Sequence, residues 1–126
     1  MRATFRKLLL TVLVSSGFVF CATPAGAAWN AERIGTIAWV GMYAPDAAAA
    51  PTVIFGLSNQ PTTGCAANDA FSLSPASITD AQTLKNMVAL VMAAKASGAS
   101  VKVAYDSGSA CDSTGRPRVY YIQWSE

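Results

Sequence analysis

The 126-residue chain contains no histidine, and this absence removes several kinds of chemistry at once. Catalysis by a serine or a cysteine commonly depends on a histidine as the general base. Most zinc sites draw their ligands from histidine and cysteine. The composition therefore disfavours triad hydrolases and zinc enzymes, and we expect neither a metal nor another cofactor.

Charged residues are also scarce, with nine Lys and Arg against seven Asp and Glu. Three of the basic residues, Arg2, Arg6 and Lys7, precede the apolar run LLLTVLVSSGFVF and the small-residue run ATPAGAA. This is the layout of a secretory signal peptide, and the apolar run is shorter than the roughly 20 residues that span a bilayer. We predict cleavage after Ala27 or Ala28, no stable membrane insertion afterwards, and a periplasmic or secreted protein.

Cleavage of residues 1–27 would change the charge balance and leave one small domain. Six basic residues then face seven acidic ones, so the net charge becomes about −1 instead of +2. A chain of this balance lacks the basic stripe that phosphates require, which argues against nucleic acid as a partner. Residues 28–126 number 99, enough for one hydrophobic core but not for two.

Cysteine occurs only three times. Cys21 belongs to the predicted signal peptide, so Cys65 and Cys111 remain as a pair in an oxidising compartment. We predict a disulfide between them, which would lower the entropy of the unfolded chain and stabilise the fold by about 4 kcal/mol. A zinc site is disfavoured, because two thiols without histidine cannot supply four ligands.

The remaining sequence consists of strand patterns interrupted by one helix pattern. Stretches rich in β-branched and aromatic residues, bounded by turn residues, predict five strands at 33–43, 52–58, 70–74, 100–106 and 118–125. A helix is predicted over Thr79 to Ser97, with a capping box of Thr79 and Gln82 and a left-handed stop at Gly98. This order predicts a mainly β (β+α) fold, namely a five-stranded OB-fold-like Greek-key barrel with its helix between strands 3 and 4.

The predicted helix is apolar on two sides. One face carries apolar residues at helical spacing and is expected to join the core: Leu84, Met87, Val88 and Val91. The opposite face carries Ala89, Ala93 and Ala96 where lysines would be usual. A helix of this kind often packs on both sides, so one interpretation is a homo-oligomer formed through Thr79 to Ser97. The alternative is that the helix only closes its own barrel and leaves some alanine exposed.

Aromatic residues on the first and last strands are the main indication of a binding surface. They are Trp39, Tyr43, Tyr120, Tyr121 and Trp124. Aromatic side chains on an OB surface can stack against sugars or bases. Alternation predicts that Tyr120, Ile122 and Trp124 share one face of the last strand. It also predicts that half of the aromatics fill the barrel, which leaves the others for sugar or protein contacts.

Several stretches combine into a recognisable layout. Trp29 closely follows the signal peptide, a strand begins around Gly35, and a cysteine precedes FSLS. The run TLKNMVALVMAAKASGASVKVAYD and the final RPRVYYIQW complete the pattern. Together they resemble a family of small exported bacterial proteins, which is similar to the B subunits of the subtilase-cytotoxin and typhoid-toxin type.

This resemblance implies an OB-fold that assembles into rings of five, lines the central pore with its helices and binds sialylated glycans. Tyr105 falls at the position of the family's glycan-contacting tyrosine. Ile34 falls where the family has a serine, so one expected donor to the sialic-acid carboxylate is missing. The resemblance therefore implies glycan binding without implying sialic acid as the ligand.

Asp106 and Asp112, which flank the loop that carries Cys111, are the remaining candidates for catalysis. A pair of carboxylates could act as acid and base in a weak glycoside hydrolase. Aspartates in glycine-rich loops more often stabilise turns, and DSGSACD lacks the ligand spacing of a calcium loop. We therefore expect a protein that is not an enzyme.

The expected function is a binding module for a glycan, with Tyr105, Tyr120 and Trp124 as candidate contacts. The alternative is a module, or an inhibitor, that binds an envelope protein by inserting Trp124 and Tyr120.

Overall fold

The computed structural model describes residues 29–44, 51–108 and 111–126, which contain five strands and one helix. The elements are β1 (Ala31–Tyr43), β2 (Thr52–Leu57), β3 (Phe71–Leu73), α1 (Ala81–Ser97), β4 (Ser100–Tyr105) and β5 (Val119–Trp124). The predicted mainly β fold with one helix after the third strand is confirmed for these residues. The predicted signal peptide lies outside the described residues.

The five strands form one antiparallel sheet in the spatial order β3-β2-β1-β4-β5. The central strand β1 pairs with β4 through its first half and with β2 through its second half. This offset pairing lets the sheet coil, so that its two edges approach each other. They meet where the backbone N–H of Ser72 donates to the carbonyl oxygen of Pro117 at 3.4 Å, next to a parallel bridge between Ser72 and Arg118.

The buried apolar side chains form a single cluster between the sheet and the helix. Phe71 lies within it, with its ring centroid 5.6 Å from that of Phe55 and 5.0 Å from that of Tyr105. The helix contributes Met87, Val91 and Ala94. Of the predicted core face, Met87 and Val91 are confirmed as buried, whereas Leu84 and Val88 are partly buried against the cluster.

The opposite face of α1 is exposed in the single chain, including Ala89, Ala93 and Ala96. Exposed alanine costs little free energy, because alanine has the highest helix propensity. The exposure therefore agrees with both interpretations of this face. Homo-oligomer formation through the helix stays a prediction, which sedimentation of the oxidised protein would test.

The helix ends at Gly98, as predicted, but it begins at Ala81 and not at Thr79. Gly98 has φ 70°, as predicted for a left-handed stop. At the other end, Asp80 is the N-cap, and its Oδ2 accepts a hydrogen bond from Thr83 N at 2.7 Å. The predicted capping box is therefore wrong. Gln82 instead donates to Asn86 at 2.9 Å, while Asp80, as good a cap as threonine, satisfies one of the free N–H groups of the first turn, that of Thr83.

The predicted disulfide is confirmed: the sulfur atoms of Cys65 and Cys111 lie 2.08 Å apart. The bond joins the loop between β2 and β3 to the loop between β4 and β5. It is compatible with an oxidising compartment. Within the described ranges, no helix combines the length and the apolar character needed to cross a membrane.

Candidate functional site

A β-bulge in β1 moves Trp39 out of the core. Ile37 pairs with Leu57 and Trp39 pairs with Gly56, so Ala38 has no partner residue on β2. Ile37 is buried, whereas Trp39 is 38% exposed on the other face of the sheet. A Cβ atom at Gly56 would clash with the indole of Trp39. The close approach of the indole to the backbone therefore requires glycine at this position.

A second bulge, in β5, changes which residues of the last strand face the core. The pairing of β4 with β5 skips Tyr120, and both Val119 and Ile122 lie in the core, 4% and 9% exposed. The prediction that Tyr120, Ile122 and Trp124 share one face is therefore wrong for Tyr120, whereas Ile122 and Trp124, which pair with Val103 and Val101, do share one face. An extra residue on one strand reverses the alternation beyond it, and composition alone does not reveal where that residue lies.

None of the five strand aromatics identified from the sequence is buried. Trp39, Tyr43 and Trp124 are exposed, and Tyr120 and Tyr121 are partly exposed. The prediction that half of them fill the barrel is wrong, because Phe55, Phe71 and Tyr105 supply the aromatic part of the core. These five side chains are instead available at the surface of the single chain.

The three candidate contacts occupy different environments. Tyr105 is 4% exposed, and its ring packs against Phe71 in the core. Tyr120 is the bulged residue of β5 and is partly exposed. Trp124, at the end of β5, is 47% exposed. Ligand contact stays a prediction for all three, and Trp124 lines a groove.

An open groove of about 500 Å³ lies at β1, β4 and the end of β5, and we call it the outer-face groove. It is lined by Ile34, Lys102, Gln123, Trp124, Ser125 and Glu126. Ile34, Lys102 and Gln123 are cross-strand neighbours in one row of the sheet. Ile34 and Trp124 are 50% and 47% exposed and supply apolar surface. The other four supply an ammonium, an amide, a hydroxyl and a carboxylate.

A charged cluster borders the outer-face groove. Lys102 Nζ lies 3.4 Å from Glu32 Oε2, and the Tyr121 hydroxyl donates to the other carboxylate oxygen of Glu32. The ring of Trp29 meets that of Tyr121 edge-on, with 5.0 Å between centroids. The hydrogen bond from Tyr121, assisted by the charge of Lys102, lowers the pKa of Glu32. Glu32 is therefore ionised at neutral pH and forms an ion pair with Lys102.

Asp106 and Asp112 stabilise the turns in which they lie. Asp112 is 8% exposed, and its Oδ1 accepts hydrogen bonds from the backbone N–H groups of Thr114 at 2.9 Å and Arg116 at 3.1 Å. Its Oδ2 accepts from the hydroxyl of Ser72 on β3. Asp106 accepts from the backbone N–H two residues later at 2.7 Å. These bonds give each carboxylate a structural role in its own loop.

A second groove, of about 530 Å³, is mostly apolar. It is lined by Val40, Gly41, Met42, Val53, Val88 and Met92. Met42 is 74% exposed and Met92 is 53% exposed. Met42 therefore provides a surface control for substitutions in the outer-face groove.

No protein-family model matches the chain, no curated protein is significantly similar to it, and no solved structure matches it significantly. In the described part of the chain, no group of three or more His, Cys, Asp or Glu side chains could hold a metal ion. The similarity to toxin B subunits stays a resemblance of sequence pattern. A proposal about function therefore depends on the geometry of the outer-face groove.

Proposed function

We propose that the protein is an exported, non-enzymatic binding module that holds a glycan in the outer-face groove. The observation that carries this proposal is that Trp124, about half exposed at the end of β5, lines the same groove as several hydrogen-bonding residues. A sugar ring has apolar C–H faces and a rim of hydroxyl groups. Its binding therefore needs an aromatic surface for stacking and polar groups that fix its orientation.

The fold that we propose is an OB-type barrel. Three features support it: the strand order, the position of the helix between β3 and β4, and the hydrogen bond between Ser72 and Pro117 where the sheet edges meet. OB-folds bind oligonucleotides and oligosaccharides. The net charge of about −1 after the predicted cleavage favours the saccharide over the nucleic acid.

Export is supported by two independent features of the chain. The first residues have the layout of a signal peptide. The bond between Cys65 and Cys111 is of the kind that persists in oxidising compartments. A periplasmic or extracellular protein would meet envelope or host glycans there.

The test is a glycan array probed with the oxidised protein from residue 28 onward, together with Trp124→Ala and Met42→Ala. Loss of one stacking aromatic costs about 1–3 kcal/mol, so we expect the tryptophan variant to bind its glycan about tenfold or more weakly. Met42→Ala should bind as the unchanged protein does, because Met42 lines the other groove. All three should unfold at similar temperatures, since both side chains are exposed.

The absence of any bound glycan on a broad array would contradict the proposal. Equal binding by Trp124→Ala would show that the outer-face groove is not the site. A lower thermal midpoint in that variant, with unchanged binding, would assign Trp124 to packing instead.

A protein of the cell envelope is the second candidate ligand. The observation in its favour is that Ile34 and Trp124 line the same groove and are both about half exposed. Tryptophan is enriched among the residues that dominate protein interfaces. Capture of one specific envelope protein, lost in Trp124→Ala, together with a blank glycan array, would favour this candidate.

A further inference from the structure

We propose that the outer-face groove selects neutral, hydroxyl-rich sugars over acidic ones. This inference rests on the proposed glycan-binding function and adds the class of ligand. The groove contains one cationic side chain, Lys102, and one anionic side chain, Glu126. The charge of Lys102 is already balanced by Glu32 at 3.4 Å. The described ion pairs include none for Glu126, so the groove and its border carry a net negative charge.

Lys102 is poorly available to an acidic ligand because its partner is itself held in place. The hydroxyl of Tyr121 donates to Glu32, and Tyr121 packs against the ring of Trp29. The side chains of Lys102 and Glu32 are 29% and 39% exposed, which leaves the pair only partly open to water. A ligand carboxylate would have to replace Glu32 as the partner of Lys102 while remaining close to both glutamates.

The cost for an acidic sugar follows from Coulomb's law. Two like unit charges about 5 Å apart in water weaken binding roughly fourfold, and they weaken it more where water is partly excluded. Because Lys102 offsets one of the two carboxylates, we expect an acidic glycan to bind at least about fourfold more weakly than its neutral counterpart.

A neutral sugar meets no such penalty and finds complementary groups. The amide of Gln123 and the hydroxyl of Ser125 can each donate and accept hydrogen bonds. The carboxylate of Glu126 accepts from sugar hydroxyls, and hydrogen bonds to a charged acceptor are stronger than neutral ones. The apolar surface of Trp124 completes the site.

The experiment compares two glycans with the same core, one neutral and one ending in sialic acid, by titration calorimetry against the oxidised protein. The core is chosen from the neutral glycans that the array returns, or from a panel of common core glycans. The double variant Glu32→Gln/Glu126→Gln removes both carboxylate charges, and Glu32→Gln retains an acceptor for Tyr121. Asp80→Asn removes one negative charge at the helix N-terminus and keeps a good cap, so it is the matched control.

For the unchanged protein and the control, we expect the neutral glycan to bind at least about fourfold more tightly. For the double variant, in which both carboxylates that offset Lys102 are neutral, we expect this preference to be lost or reversed. An unchanged preference in the double variant would overturn the electrostatic basis of the inference. Equal or tighter binding of the sialylated glycan to the unchanged protein would overturn the inference and leave glycan binding standing. Failure to bind any glycan would overturn both.

Discussion

Removal of the bond between Cys65 and Cys111 is expected to destabilise the protein more than most single substitutions would. The bond closes a loop with a sequence separation of 46. Loop-closure entropy for this length corresponds to a stabilisation of about 4 kcal/mol at 25 °C. The total stability of a small domain is about 5–15 kcal/mol, so the loss is a large fraction of it. In a domain of this size each kcal/mol shifts the thermal midpoint by roughly 4–8 °C, which gives a drop of roughly 16–32 °C.

The assay is thermal and urea unfolding, followed by circular dichroism, of three samples that begin at residue 28. They are the oxidised protein, the same protein with its bond reduced, and the double variant Cys65→Ala/Cys111→Ala. Alanine is chosen because Cys65 is 5% exposed, and a serine hydroxyl would be buried there. The reduced protein and the variant should lose similar amounts of stability. Midpoints within about 3 °C of the oxidised protein would refute the entropy argument for this loop.

Two further predictions concern buried and exposed carboxylates. Asp112→Ala removes the acceptor for two backbone N–H groups and two hydroxyls, and should lower the free energy of unfolding by about 2–4 kcal/mol in urea; a loss under about 1 kcal/mol would contradict its structural role. Two hydrogen bonds from Arg116, each 3.0 Å, lower the pKa of Asp69. The folded pKa lies below the unfolded one, so this stabilisation is present above about pH 4 and is lost as the pH falls. Asp69→Asn should flatten the dependence of the urea midpoint on pH in that range, and an unchanged profile would contradict the assignment.

Much of the local structure could be predicted from residues that are close together in the sequence. Gly98 ends the helix because its backbone adopts a left-handed conformation at no steric cost. The strands follow from β-branched and aromatic runs between turn residues. The disulfide followed from the small number of cysteines. The cap was placed one residue too early, because Thr79 and Asp80 are both good N-caps and only the hydrogen bond to Thr83 distinguishes them.

The candidate site was predicted only in part. Trp124 was identified as an exposed aromatic on the last strand, but Lys102, Gln123, Ser125 and Glu126 were not. No sequence signal groups these residues, because they come from two strands and the residues that follow β5. Their proximity depends on the pairing of β4 with β5 and of β4 with β1. Alternation in the sequence indicates that a polar strand residue faces outward. It does not indicate which residues of the other strands lie beside it.

The amino-acid sequence determined the element types, the helix stop and the cysteine pair, because each of these depends on a few neighbouring residues or on simple composition. The tertiary structure decided which aromatic side chains reach the surface. Bulges at Ala38 and Tyr120 reverse the alternation of β1 and β5, and Lys95 Nζ donates to the carbonyl oxygen of Ala38 at 2.6 Å. A bulge forms where one strand is matched to another that is distant in the chain. The faces of these strands, and with them the outer-face groove, therefore depend on pairing that local sequence does not encode.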